Sequence, residues 1–268
     1  MDEPQKADPS RLVELRAKID AIDESVHRLL MQRAVVIDEL IAVKGTARNG
    51  AAFRPGREAD MMRRLAARHS GHLPLTAIEH LWREIISTFT ALQAPFEVFA
   101  CGEATSAMDT ARFYFGFTVP VTLLASPAAV VETIQSGGDD RLGIVALGDG
   151  DAVWWDDLAS AQIVARLPFF AMEGRPAATP SLVIAPPLAD PVPPEIGCYA
   201  LAGSAAMPDL ERTLGEAGDV LAAATTARGF GALVATRLAP DELAARLGGH
   251  LDIRPIGGYA APLAVPAG

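Results

Sequence analysis

The chain has 268 residues, half of them apolar, and a formal net charge of −10. It is long enough for two domains with a large hydrophobic core, and its acidic balance excludes the basic surface typical of nucleic-acid-binding proteins. No apolar run is as long as a membrane span, and the polar start MDEPQKADPS lacks a signal-peptide core, so we expect a cytoplasmic protein without nucleic-acid or membrane partners.

The first predicted element is a helix of unusual length. Residues 1–10 are expected to form a disordered lead-in in which Ser10 suits the N-cap position. The helix is expected from Leu12 to Lys44, with no Gly or Pro inside and apolar residues every three or four positions, at Leu12, Leu15, Ile19, Ile22, Val26, Leu29, Leu30, Val36, Ile37, Leu40 and Ile41. Such a helix would be about 50 Å long, so we expect it to pack against a partner chain or within an interlocked bundle.

Three cations on this helix are candidates for an anion site. Arg33 and Lys44 are eleven residues apart, so they share a face about 16 Å apart and could both reach one small anion. Arg16 would lie about 25 Å from Arg33 and point elsewhere, so it could serve a site on a partner chain. In the alternative interpretation, all three are solvated charges on a surface helix.

Two shorter helices are expected after a loop over 45–52. The second helix opens at FRPGRE (53–58) and runs to about Arg68, with Pro55 in its first turn. Arg57 and the backbone N–H groups at its start would favour an anion. The third helix spans about Leu75 to Gln93, with apolar residues at Ile78, Leu81, Trp82, Ile85, Ile86, Phe89 and Leu92.

The residue types on these helices indicate a small polyanion as ligand. Buried cations need anionic partners, and arginines bind carboxylates through forked contacts, so a dicarboxylate is the expected class. The first 93 residues contain no nucleophile paired with a base, no metal-ligand cluster and no glycine-rich phosphate loop. Any reaction would therefore depend on positioning and electrostatics, and we expect no cofactor and no metal. Cys101 and Cys198 lack metal spacing and are expected to be buried thiols in a reducing compartment.

Five blocks occur in order between residues 11 and 94: LRAKIDAID (15–23), LLMQR (29–33), Lys44, FRPGRE (53–58) and WREIIS (82–87). Together they resemble the all-helical, AroQ-type chorismate mutases. This resemblance implies an all-α domain over 11–94 that forms an intertwined homodimer. It also implies a Claisen rearrangement of chorismate to prephenate.

The resemblance implies roles for the matching basic residues and for one amide. Arg33 of one chain and Arg16 of its partner chain would bind the two carboxylates of chorismate. Lys44 would donate to the ether oxygen of the breaking bond, where negative charge develops, and Gln93 would lie on the other side of that oxygen.

The start of the second helix would complete the site. Glu58 would accept a hydrogen bond from the ring hydroxyl, Arg57 would support the site, and Arg54 would lie near a variable position. Phe89 departs from the family pattern, because some members carry there a small hydroxyl residue that helps to hold a carboxylate.

The pattern changes from helical to mixed α/β after Ala94-Pro95. Strands are predicted at 96–100, 142–147, 163–165 and 181–185, and helices at 104–115 and 127–136. A proline-rich linker at 186–194 precedes a strand at 196–201, a helix at 207–216, strands at 220–224 and 231–235, a helix at 240–247 and a strand at 251–259. We therefore expect a multi-domain chain with domains at 11–94, 95–188 and 195–262, the last with the split βαββαβ order.

The whole layout resembles the bifunctional proteins that join chorismate mutase to prephenate dehydratase and an ACT regulatory domain. The middle part departs from that pattern, because CGEATS (101–106), LGDGD (147–151) and TPS (179–181) replace the dehydratase motifs, and the region is short by much of one lobe. We therefore expect a degenerate, inactive dehydratase-like domain. A solvated acidic loop is expected at Asp149, Asp151, Asp156 and Asp157, with a divalent-ion site as the alternative.

Three functional hypotheses follow. The leading one is a chorismate mutase with a non-catalytic C-terminal half, in which an ACT-like domain could bind an aromatic amino acid effector. The others are a bifunctional mutase–dehydratase and a non-catalytic protein that senses an aromatic amino acid. The ACT-like assignment depends on element order and on the closing GGY (257–259), and a structural or dimer-extending domain is its alternative.

Overall fold

The computed structural model describes residues 8–44, 53–148, 153–188, 191–204, 209–227, 229–248 and 251–265. The chain divides into two compact units, residues 1–48 and 49–268. Within the described ranges no helix is long and apolar enough to cross a membrane.

The described part of the first unit is one continuous helix, α1 (Pro9–Lys44), which confirms the predicted long helix. Its start differs from the expectation, because the Asp8 carboxylate accepts hydrogen bonds from the Ser10 N–H at 3.0 Å and the Ser10 hydroxyl at 2.7 Å. Asp8 rather than Ser10 therefore supplies the side-chain oxygen at this end. Many large apolar side chains of α1 are exposed, namely Leu12, Val13, Leu15, Ile19, Ile22, Val26, Leu29, Met31, Val35, Val36 and Val43.

The second unit begins with α2 (Pro55–Arg68) and α3 (Leu75–Gln93), and both helices have the predicted bounds. The proline at the first position of α2 has no N–H that the helix would need to satisfy. Of the apolar residues named for α3, Ile86 and Phe89 are buried. Leu81 and Leu92 are exposed, whereas Glu79 and Arg83 are buried, because a second charged group meets them from outside the helix.

The rest of the second unit is a mixed α/β structure. Its helices are α4 (Ala104–Phe115), α5 (Pro127–Ser136), α6 (Leu210–Leu214) and α7 (Pro240–Leu247). Its strands are β1 (Glu97–Cys101), β2 (Val121–Leu123), β3 (Arg141–Ala146), β4 (Gln162–Leu167), β5 (Phe170–Ala171), β6 (Ser181–Ala185), β7 (Ile196–Gly203), β8 (Gly218–Thr226), β9 (Gly229–Thr236), β10 (Asp252–Tyr259) and β11 (Leu263–Ala264). The short strands β2, β5 and β11 are not predicted by the sequence pattern, nor is a turn of 3-10 helix at Trp154–Asp157.

Nine of these strands form one sheet in the order β2-β1-β3-β6-β4-β10-β7-β9-β8. The β1–β2 and β1–β3 pairs are parallel, and β6 is antiparallel to both β3 and β4. A single register pair, Gly257 with Ile163, joins β10 to β4 in parallel. The strands of 95–188 and 195–262 thus lie in one sheet, and the division into two domains there stays a prediction.

The last four strands of this sheet confirm the predicted βαββαβ element order. Their spatial order is β10-β7-β9-β8, with every neighbouring pair antiparallel, which is the split-βαβ arrangement. The helix expected at 207–216 is observed as α6, followed by a 3-10 turn at Gly215–Ala217. The start of the expected helix lies outside the described residues.

Apolar residues on both faces of the sheet build the core of the second unit. Both cysteines are buried there as free thiols, as expected, and burial raises the pKa of Cys101 to about 11 and that of Cys198 to about 12. A smaller cluster joins the first helices of this unit to the α/β part through Met62 of α2, Ile86 of α3 and Phe170 of β5. The helices α2 and α3 therefore share a core with the α/β part.

Candidate functional site

The first unit carries three of the predicted site residues, all on α1. Arg16 is exposed, Arg33 is half-buried, and Lys44 is the last residue of the helix. Because α1 is continuous, helical geometry separates the backbone positions 33 and 44 by about 16 Å along the helix axis, and positions 16 and 33 by about 25 Å. The structural alternative for Arg16, Arg33 and Lys44 stays that all three are solvated charges on a surface helix.

The start of α2 places the predicted residues of the second unit on two sides. Arg54 and Arg57 line a cavity of about 740 Å³ together with Arg63 and Arg64. Glu58 instead lines a cavity of about 30 Å³. The structure therefore brings Arg54 and Arg57 together and turns Glu58 toward the interior of the unit.

Gln93 ends α3, and its side-chain amide is partly used within the helix. The Nε2 group donates to the main-chain oxygen of Phe89 at 2.9 Å. A primary amide has two N–H donors, so one remains for another acceptor. Phe89 itself is buried in the second unit, where a hydroxyl residue stands in some chorismate mutases.

Glu58 belongs to a buried ionic chain that the sequence pattern does not predict. Its Oε2 accepts from Nη1 of Arg83 at 2.7 Å, and Nε of Arg83 lies 4.0 Å from Oε1 of Glu79. Oε2 of Glu79 in turn accepts from Nη2 of Arg175 at 2.9 Å. Two arginines and two glutamates thus alternate from α2 through α3 to the segment between β5 and β6. We refer to Glu58, Arg83, Glu79 and Arg175 as the ionic chain.

Burial dominates the electrostatics of the ionic chain. The side chains of Glu58, Arg83, Glu79 and Arg175 are 14, 7, 0 and 1 % exposed. Loss of hydration raises the pKa of Glu58 above its ordinary value, and the Arg83 guanidinium opposes this rise. Burial likewise raises the pKa of Glu79, against the attraction of Arg83 and Arg175. The neighbouring arginines therefore favour the ionised form of each carboxylate, against the effect of burial.

A signal for half of the ionic chain is present in the sequence. Glu79 and Arg83 are four residues apart, in register with Ile86, so they share one helix face with a core residue. Arg175 follows Glu79 by 96 positions, and no local pattern connects the two. Only the tertiary structure shows that the ionic chain extends to Arg175 in the α/β part.

The motifs of the α/β half have structural roles in the described residues. Glu103 caps α4 by accepting from the N–H groups of Thr105 at 3.1 Å and Ser106 at 2.8 Å. These bonds lower the pKa of Glu103 to about 2. In the TPS segment (179–181), the buried Ser181 hydroxyl donates to the main-chain oxygen of Thr179 at 3.1 Å.

The acidic loop is only partly described. Asp149 and Asp151 lie outside the described residues. In the ranges that are described, no group of three or more His, Cys, Asp or Glu side chains has a metal-binding arrangement. Asp156 and Asp157 lie in the 3-10 turn, where the main-chain oxygen of Asp156 accepts from Arg254 at 2.9 Å.

Comparison with known proteins defines the class of the helical region. Residues 15–94 match the family model described as chorismate mutase type II. The chain therefore carries a chorismate mutase type II domain over these residues, as the sequence blocks predict. The match includes α2, α3 and most of α1.

The curated relatives are named as bifunctional chorismate mutase/prephenate dehydratases. The protein of Pseudomonas aeruginosa is 31% identical over 136 residues, which cover 49% of this chain and 37% of the relative. The protein of Neisseria gonorrhoeae is 34% identical over 106 residues, which cover 39% of this chain and 28% of the relative. The protein of Aquifex aeolicus is 34% identical over 116 residues, which cover 41% of this chain and 32% of the relative. The chain thus spans about a third of the length of these relatives.

Two solved structures are similar to this chain at low identity. The X-ray structure of prephenate dehydratase from Streptococcus mutans is 13% identical, with a TM-score of 0.36, and covers 62% of this chain and 98% of its own. GqqA, described as a novel type of quorum quenching acylase, is 15% identical, with a TM-score of 0.41. The match covers 61% of this chain and 94% of GqqA.

Proposed function

We propose that this protein is a chorismate mutase, an isomerase that rearranges chorismate to prephenate in aromatic amino acid biosynthesis. The observation that carries the proposal is the family match over residues 15–94. All seven proposed site residues lie within it, namely Arg16, Arg33, Lys44, Arg54, Arg57, Glu58 and Gln93. The domain match supports the reaction class, and the roles of individual residues are part of the proposal.

The proposed mechanism requires no cofactor and no covalent intermediate. A pericyclic rearrangement needs a folded substrate conformer and stabilisation of the charge that separates as the ether bond breaks. In the proposal, Arg33 of one chain and Arg16 of its partner chain bind the two carboxylates and hold that conformer. Lys44 and the second N–H of Gln93 donate to the ether oxygen. Glu58 accepts from the ring hydroxyl, while Arg57 and Arg54 add positive charge at the start of α2.

A homodimer with shared sites is part of the same proposal. It is supported by the large apolar side chains of α1 that are exposed in the single chain. It is also supported by Leu81 and Leu92 of α3, which are exposed and, eleven residues apart, share one face.

The direct test is an absorbance assay of chorismate consumption by the purified full-length protein at neutral pH. We expect loss of chorismate and equimolar formation of prephenate, in proportion to protein concentration. A folded, dimeric protein that leaves chorismate unchanged would contradict the proposal and favour the non-catalytic sensor instead.

A second candidate is the bifunctional activity of the curated relatives. It is favoured by the length of the Pseudomonas aeruginosa match, because 136 residues are more than the helical region contains and must include part of the α/β region. Against it, TPS (179–181) replaces the catalytic triplet of the dehydratases. We therefore propose that the protein stops at prephenate. Formation of phenylpyruvate from prephenate at neutral pH, above the spontaneous rate, would show the second activity.

The C-terminal βαββαβ region is proposed to be ACT-like and to bind an aromatic amino acid as effector. Its support is the antiparallel order β10-β7-β9-β8 and the closing GGY (257–259). A change in mutase rate on addition of phenylalanine, tyrosine or tryptophan would support this assignment, and an unchanged rate with each of them would contradict it. The two free, buried thiols suit the cytoplasmic location that we also propose.

A further inference from the structure

We propose that Arg83 is a positioning residue of the mutase site, because it holds the Glu58 carboxylate in place. We also propose that Glu79 and Arg175 hold Arg83 in turn, so that a segment of the α/β region supports the site. The inference rests on the proposed function, because it concerns a residue behind the substrate-binding groups. It goes beyond that function, because it makes a segment of the α/β region part of the support of the mutase site.

The contacts of Arg83 define its position on three sides. Its Nη1 binds Oε2 of Glu58 at 2.7 Å, its Nε faces Glu79 at 4.0 Å, and its guanidinium lies 5.2 Å from the ring centre of Tyr114. A planar guanidinium held by a carboxylate and an aromatic face has little freedom to rotate. Because Arg83 uses Oε2 of Glu58, the other carboxylate oxygen would be the acceptor for the substrate hydroxyl.

The far end of the ionic chain is fixed by the α/β region. Arg175 donates to Oε2 of Glu79 at 2.9 Å and to the main-chain oxygens of Phe170 at 2.6 Å and Pro176 at 3.0 Å. Its guanidinium also lies 5.1 Å from the ring centre of Phe113. Glu79 is thus held in place from outside the mutase domain.

Several charged or titratable groups surround Glu58 from the elements packed against it. Arg83 of α3, Tyr114 of α4 and Arg166 of β4 line the same cavity as Glu58. Glu79 faces Arg83 from the other side, and His80 and Arg175 act on Glu79. Arg166 is engaged by Asp219 at 3.1 Å and by the Tyr259 hydroxyl at 3.3 Å. Arg83 is the cation that contacts Glu58 directly among the described interactions, so it has the largest electrostatic effect on this carboxylate.

This arrangement predicts opposite effects for two substitutions. If an ionised Glu58 is needed, kcat/KM falls as pH decreases through the pKa of Glu58 in the free enzyme. Arg83→Met removes the opposing positive charge, so the pKa rises and the loss of activity moves to higher pH, by about one unit or more. Glu79→Gln removes the negative charge on the other side of Arg83, so the Arg83 charge is less neutralised, the pKa of Glu58 falls and the loss of activity moves to lower pH.

The experiment is the pH profile of kcat/KM for chorismate, measured with full-length wild-type protein and variants after circular dichroism has verified the fold. Arg141→Met is the matched control, because Arg141 likewise lies beside an aromatic ring, 5.6 Å from the ring centre of Phe99, but donates to the main-chain oxygen of Thr133 at 3.1 Å rather than to a carboxylate. We expect its profile to match the wild type. Glu58→Gln should remove the acidic limb of the profile.

Shifts of opposite sign in Arg83→Met and Glu79→Gln would support the inference. If Arg83→Met does not fold, Arg83→Lys is the second variant. It keeps the positive charge but lacks the planar guanidinium, so it should shift the pH profile in the same direction by a smaller amount. Unshifted profiles in a folded Arg83 variant and in Glu79→Gln would overturn the inference, even with an active wild type. An inactive wild type would instead contradict the proposed function itself, so the two failures are distinguishable.

Discussion

At the scale of single residues, the sequence predicts which side chains belong to the site better than it predicts their partners. Glu58 was expected to face a substrate hydroxyl, and the structure adds a 2.7 Å contact with Arg83 behind it. Residues that match a family motif can be recognised from their spacing. Arg175 has no such motif, and its contact with Glu79 depends on the packing of segments 96 positions apart.

Lys44 is the residue with the largest expected effect on turnover. Replacing it by Ala removes the proposed donor at the ether oxygen, and one such donor is worth roughly 2.7–4 kcal/mol, so kcat should fall by about 10²-fold or more. The measurement is kcat for chorismate. Lys18→Ala is the control, because Lys18 is an exposed lysine on the same helix and is expected to leave kcat unchanged. Near-normal turnover in folded Lys44→Ala would remove this residue from the mechanism.

At the scale of elements, the long helices are predicted well because their signals are local. The bounds of α4, α5, β6 and α7 equal the predicted ones, and those of α2 and α3 agree with the approximate bounds predicted for them. Apolar periodicity and a proline or glycine near an end define each of these elements. The short strands β2, β5 and β11 have two or three residues each, too few for a recognisable alternation, and exist because a neighbouring strand pairs with them. The apolar pattern of α3 includes the buried Ile86 and Phe89 but does not indicate that Glu79 and Arg83 are buried, because their charged partners lie elsewhere in the fold.

The cap of α4 gives a prediction at this scale. Glu103 lies in the segment that departs from the dehydratase motif, and its carboxylate caps the helix. Since its pKa is lowered from 4.5 to about 2 in the folded state, its stabilising effect is complete above about pH 4.5 and is lost as pH falls toward 2. Glu103→Ala should therefore lower the unfolding temperature at neutral pH, and the difference from wild type should shrink as pH falls from about 4.5 toward 2.

Thermal unfolding followed by circular dichroism measures this difference. Glu132→Ala on α5 is the control, because it removes the same charge from an exposed helix position that caps nothing. A destabilisation of Glu103→Ala that is independent of pH over this range would show that the carboxylate is not the capping group.

At the scale of the whole molecule, the second unit joins α2 and α3 to the α/β part. The ionic chain, the apolar cluster of Met62, Ile86 and Phe170, and the contact between Arg63 and Glu195 at 2.8 Å all connect them. The first unit, in contrast, exposes the apolar face of α1. A sequence can predict that such a helix needs a partner, but not which chain supplies it. We propose that a second copy of the chain is this partner and that its Arg16 completes the site.

The most direct test of this account is subunit exchange between Arg16→Ala and Lys44→Ala proteins, each expected to be nearly inactive alone. In a mixed dimer with shared sites, one site carries both defects and the other receives intact Arg16 and Lys44 from opposite chains. Random exchange makes about half of the dimers mixed, so about a quarter of the wild-type chorismate mutase activity should return. If Arg16 acted within its own chain, every site would carry one defect. No recovery after verified exchange would therefore contradict the shared site and the role of α1 in it.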